Sequence, residues 1–222
     1  MVNALLLAAA LAGAPDGAEP RSTGRVVEEV VAVVRNPAGA APRAITLTKL
    51  VEEARIALVG RGAVEAAFRP LDAEALRAAL DWLVDQTLVA DEAARLRVDD
   101  VPRDDVVAEV RRFRARFPSE DGYRRFLAAN ALTDEEVGVV LARSIRVQRY
   151  LESRVGRAVR VDDEEVDRYL RERGATLRAP AAREAVRAQL AEQHLAAHVK
   201  ELLAELRTRA EIRILDPAPG GA

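Results

Sequence analysis

The chain reads as a mainly helical domain closed by a small β-sheet, and three observations carry that reading. Helix-capping residues recur ahead of stretches whose apolar residues are spaced by three and four. Aromatic residues are only 4% of the chain while 50% of it is hydrophobic, so the core is built from Leu, Val and Ala, which suits packed helices better than a sheet sandwich. Two runs with strand character, Val26 to Val34 and Ala210 to Leu215, stand at opposite ends of the sequence. A lone C-terminal strand cannot satisfy its own backbone, and the N-terminal run is the one clear partner for it.

Taken in order, the apolar run Ala4 to Ala12 is too short to span a bilayer. Ala10-Leu11-Ala12 fits an A-x-A cleavage site, so residues 1–14 read as a secretory signal peptide, although the n-region carries no Lys or Arg. Residues 15–24, rich in Pro, Gly and Ala, read as a disordered linker. One domain is expected over 25–215, with an N-terminal part over 25–174 and a closing helix and strand over 180–215; a disordered tail follows over 216–222. Val26 to Val34 is too β-branched for an easy helix and reads as a buried strand. Asn36 to Pro42 is turn material, and Ile45-Thr46-Leu47 supplies a short return strand.

Thr48 is expected to cap a first helix from Lys49 to Val59, stopped by Gly60 and Gly62. Asp72 caps a second, reaching Leu96, whose inward stripe is Leu76, Leu80, Leu83, Val84 and Leu88 with Trp82 beside it. Val98 to Pro102 breaks the chain, and a helix from Pro102 to Arg116 follows. Ser119 caps a short helix to Ala129, and Asn130-Ala131-Leu132 turns the chain tightly. Thr133 with Glu136 forms a capping box for a long helix to Val155, with Val137, Val140, Leu141, Ser144, Val147 and Leu151 inward. Asp162 to Glu165 opens a short helix ending at Gly174. Pro180 then starts the longest helix, with Leu195, Val199, Leu202 and Leu206 as its stripe, and Ile212 and Ile214 share one side of the last strand.

Several function classes find little support. The net charge is -2 and basic runs are interleaved with acids, which argues against broad nucleic-acid binding. Arg143, Arg146 and Arg149 on the helix after a short turn mimic a helix-turn-helix, but Val140, Val147 and Leu151 claim that helix for a core. Cysteine is absent, which removes disulfide and thiol chemistry. His194 and His198 lie one turn apart, a spacing that can hold zinc, yet Leu195 stands where a zinc protease needs Glu and no third ligand is marked, so they read as solvated helix-face residues and no metal is expected. The carboxylates at Asp99-Asp100, Asp104-Asp105 and Asp162 to Glu165 sit at helix starts, where they cap. No serine lies in a nucleophile elbow, and neither a phosphate loop nor a dinucleotide fingerprint occurs. The expectation is no catalysis and no cofactor. Of the eight aromatics, most read as core anchors, with some at the rim of a groove between helices as an apolar surface for a partner.

The order of the motifs resembles a family. VVEEVVAVVRN, a turn and ITLTKL resemble the start of SurA-like periplasmic chaperones, and ALRAALDWLVDQTLVADEAARLRV stands where that family has its next helix. RFPSEDGYRRF, AANALTDEE and the long helix after them are similar to its F-x-S-E segment and the connection that follows. VDDEEVDRYLRE resembles the segment leading into a parvulin-type prolyl isomerase domain, and AVRAQLAEQHLAAHVKELLAELRTRAEIRIL resembles the closing helix and strand. The likeness covers Arg25 to Leu215, but only Gly174 to Ala179 stands where relatives insert the isomerase. The resemblance therefore implies a multi-helix SurA-type chaperone core without catalysis. Such a core would be a periplasmic holdase for unfolded exported or outer-membrane polypeptides, with no nucleic acid and no stable membrane insertion, and homodimerisation left open. Trp82, Phe113, Tyr123, Phe126 and Tyr150 are the expected client contacts. The alternative is an envelope scaffold or dimerisation module that binds one folded partner.

Overall fold

The structure is a computed structural model that describes residues 28–36, 41–96, 101–156, 160–173 and 180–215. Its one sheet among these residues has three antiparallel strands, β1 (Val30–Arg35), β2 (Arg43–Thr46) and β3 (Glu211–Ile214), in the order β2-β1-β3. The strand from the N-terminal region is thus the central one, and the expected pairing of opposite ends is present: Ala32 faces Ile214, Val33 faces Arg213 and Val34 faces Ile212. Leu215 N–H extends this ladder by donating to the Val31 carbonyl at 2.9 Å. The strand begins later than Val26 and runs one residue past Val34; Val26 and Val27 lie outside the described residues. The return strand ends at Thr46, because Leu47 already begins a helix, and an irregularity between Val30 and Ala32 adjusts the β1–β2 register.

Seven α-helices follow among the described residues: α1 (Leu47–Gly60), α2 (Ala73–Arg95), α3 (Arg103–Arg114), α4 (Glu120–Ala129), α5 (Asp134–Val155), α6 (Asp163–Glu172) and α7 (Pro180–Arg209). A 3₁₀ turn, Glu65–Phe68, links α1 to α2 and had no sequence signal. Four of the expected caps form: Asp72 accepts from Ala75 N at 2.7 Å, Ser119 from Gly122 N at 3.1 Å, and Asp162 from Glu165 N at 2.8 Å, while Thr133 and Glu136 bond reciprocally. The cap of α1 is Thr46 rather than Thr48, because its extended backbone lets Oγ1 accept from Lys49 N at 3.3 Å while its own residue still completes β2. The end expected at Gly174 lies outside the described residues. At the close of α4, Leu132 N–H bonds back to the Leu127 carbonyl at 2.9 Å, which forces Ala131 to φ 51°, a left-handed position usually given to glycine.

One large core fills the space between the inner face of the sheet and helices α1, α2, α5 and α7. Val31, Ala32 and Val34 of β1 meet Leu50 of α1, Leu83 and Leu88 of α2, Val147 and Leu151 of α5, and Val199, Leu202 and Leu206 of α7. A second core gathers Ile56 and Val59 of α1 with Phe113, Phe117, Tyr123 and Phe126 around α3 and α4, and Val137 and Leu141 of α5. On α5, Val140 and Ser144 are only half-buried, while Tyr150 completes the stripe. A small third cluster seats α6 on the N-terminal half of α7 through Val166, Leu170 and Leu190. The C-terminal half of α7 is also held by charge: Arg207 Nε lies 2.5 Å from the Asp85 carboxylate, and its Nη2 donates to the Asp81 carbonyl at 3.0 Å.

Two outcomes follow from this packing. A chain ending at Ala179 removes an edge strand and the α7 stripe from the main core, and it is expected to lose cooperative melting followed by circular dichroism; a sharp, reversible transition in that fragment contradicts the architecture. Ala131→Gly relieves the left-handed alanine and is expected to raise stability by about 0.5–1 kcal/mol in urea titration.

Candidate functional site

The five aromatic residues expected at a groove are all interior. Trp82, Phe113, Tyr123, Phe126 and Tyr150 are each at most 6% exposed, the first and last in the sheet core and the other three in the second core. Phe113, Phe117, Tyr123 and Phe126 form one edge-to-face and tilted cluster with ring centroids 5.3–6.3 Å apart. Tyr123 keeps its hydroxyl paired by donating to Asp134 at 2.6 Å, and burial with that bond pushes its pKa up. In this conformation these side chains hold the fold and offer a partner no surface. The sequence cannot separate the two roles, since an aromatic at helical spacing fits a core and a groove equally well.

An open groove does exist, on the outer side of the second core. It measures about 690 Å³ and is lined by Val106, Val107, Val110, Arg111 and Arg114 of α3 and by Ala115, Phe117, Ser119 and Glu120 of the turn into α4. Phe117 is buried beneath it, Val107 is 48% exposed, and Val110 is partly covered by packing toward Gly138 of α5. Arg114 spans the groove's end, bonded to Glu120 and stacked over the Tyr123 ring with its guanidinium carbon 5.1 Å from the centroid. The result is an apolar floor edged by the charged side chains of Arg111, Arg114 and Glu120. The sequence signal for it was available: Val106, Val107 and Val110 give an otherwise charged helix a second apolar strip, next to the one that Phe113 buries.

Several charged side chains singled out in the sequence are paired within the protein. Glu53 of α1 is buried, and it pairs with Arg143 of α5 and lies 4.0 Å from Lys49. Burial and the nearby Arg43 and Arg146 lower the Arg143 pKa to about 10, still well above neutrality, so the guanidinium remains charged opposite Glu53. Arg149 pairs with Asp105 across α5 and α3, so Arg143 and Arg149 are both engaged within the protein and do not form the common basic face that a recognition helix presents. His194 lies 2.8 Å from Glu165 of α6, and His198 faces Glu201 at 3.2 Å. Among the described residues no three His, Cys, Asp or Glu side chains are grouped to hold a metal, and no helix is long and apolar enough to cross a membrane.

Arg143→Met should destabilise the fold by about 3–5 kcal/mol in urea titration, because Glu53 is left buried without its partner, and Glu53→Leu on that background should return most of the loss. Equal stability of the single and double variants would show the pair to be solvent-screened. Comparison of the chain with protein-family models, curated proteins and solved structures gives no match.

Proposed function

We propose that the chain is a non-catalytic periplasmic chaperone that holds unfolded exported polypeptides, outer-membrane proteins among them, and that apolar client side chains enter the groove between α3 and the turn into α4. The observation that carries this reading is that groove: an open apolar floor of valines and Phe117, large enough for one or two side chains, edged by Arg111, Arg114 and Glu120. A holdase needs exposed apolar surface that does not drive self-association, and a charged rim around a short apolar strip supplies it. The resemblance of the motif order to SurA-like chaperones supports the same reading.

The chemistry of the groove bears on what it would hold. Shallow apolar burial with long, rotatable Arg side chains favours weak and sequence-tolerant binding over recognition of one shape. The valines of α3 take over the contact role from the interior aromatics, and Phe117 serves as the floor.

The test is suppression of aggregation of a denatured β-barrel client diluted from urea. Wild-type protein should slow light scattering at moderate molar excess, and Val107→Asp should lose most of that effect. At a 48% exposed position this substitution should change stability by no more than about 0.5 kcal/mol. No suppression by the wild type, or full suppression by a folded Val107→Asp, removes the groove reading.

A further inference from the structure

Strand β3 lies at an edge of the sheet, and among the described residues no strand lies beyond it. Its register fixes which backbone groups are free. Leu215 N–H donates to the Val31 carbonyl and Arg213 stands opposite Val33, so Glu211, Arg213 and Leu215 turn their backbone groups toward β1. Antiparallel strands alternate this direction residue by residue, so Ile212 and Ile214 aim N–H and C=O at the open edge. The side chains alternate too. Glu211, Arg213 and Leu215 share the outer face with Val33 and Arg35 around a depression of about 310 Å³. Ile212 and Ile214 share the inner face, where Ile212 packs on the core while Ile214 is 48% exposed.

We propose that a second copy of this chain pairs along this edge, the two β3 strands running antiparallel about a two-fold axis through Ile212. Two registers within β3 use the outward groups of Ile212 and Ile214. With the axis at Arg213, the two Arg213 side chains stand directly opposite at the closer, non-hydrogen-bonded spacing, which like charges oppose. With the axis at Ile212, Ile212 exchanges both backbone hydrogen bonds with its symmetry mate, and Glu211 of each copy faces Arg213 of the other, twice. With the axis at Ile214, Arg213 faces Leu215 and the described residues bring no opposite charges together. Of these registers, the one centred on Ile212 brings opposite charges face to face. Within one chain Glu211 already accepts from Arg213 and lies 3.8 Å from Arg35, so the second copy extends an existing ladder of alternating charge. A ladder this short buries less than a standard interface, and the dimer should be weak and reversible.

Sedimentation equilibrium of the full chain over a concentration series at low salt tests the proposal. Wild type should show a reversible monomer–dimer equilibrium. Arg213→Glu places Glu opposite Glu211 at both symmetric positions and should raise the dissociation constant by about tenfold or more, whereas Glu211→Arg with Arg213→Glu restores opposite charges and should return it to within about threefold of wild type. Circular dichroism confirms that each variant is folded. A single-chain mass at every wild-type concentration overturns the proposal, as does a dimer indifferent to Arg213→Glu or unrecovered by the swap. Hydrogen exchange adds a second readout: the Ile212 and Ile214 amides should gain protection as concentration rises. Protection already complete in the dilute monomer would mean that another segment of the same chain covers the edge, and the proposal then fails.

Discussion

The pairing of β1 with β3 is the constraint on which the rest of the structure depends. β1 is the central strand, so its hydrogen bonds on one side come from the neighbouring β2 and on the other from residues near the far end of the chain. Closing a loop between Ala32 and Ile214 costs about 4–5 kcal/mol of chain entropy, because the term grows only with the logarithm of length. Burying Val199, Leu202 and Leu206 of α7 offsets this, at about 1.5–3 kcal/mol for each fully buried side chain. The strand pairing sets where α7 ends and the apolar stripe sets how it lies, so the two devices act together. Arg207, reaching Asp81 and Asp85 of α2, fixes the rotation of the helix about its axis.

That arrangement divides the interior. The sheet and α7 enclose an aliphatic core, and the aromatics Phe113, Phe117, Tyr123 and Phe126 collect in a second core at the far end of α1. Helix α5 belongs to both, contributing Val147 and Leu151 to one and Val137 and Leu141 to the other. The groove proposed for clients lies on the second core, away from the strand ladder. Its floor residue Phe117 packs at 5.3 Å from Phe126, so the groove is backed by a rigid aromatic cluster while its rim is made of long, rotatable arginines. A stiff floor and an adaptable rim suit weak binding of varied apolar segments.

Much of the fold was legible in the sequence for local reasons. A cap is a statement about one side chain and a backbone N–H three residues later, so Asp72, Ser119, Thr133 and Asp162 could be read directly. The displaced first cap shows the limit of that logic: both Thr46 and Thr48 can cap, and the choice went to Thr46 because β2 pairing had already placed its backbone in the extended region. Apolar stripes on α2 and α7 were likewise visible as spacing, and the two terminal strands as a change of period joined by the need of each for a partner.

What the sequence by itself determined was therefore element type, helix starts, the apolar faces and the pairing of the two ends, each set by hydrogen-bond and burial requirements that act over a few residues or admit one solution. Only the tertiary structure decided which aromatics are interior and which surface remains open, because that depends on how many neighbours meet at each side chain. It alone joined Glu53 to Arg143, residues far apart in the chain whose burial is a property of two helices packing. Among the described residues it also left Val107, Ile214 and Leu215 uncovered, since the depth of a side chain depends on which elements pack against it.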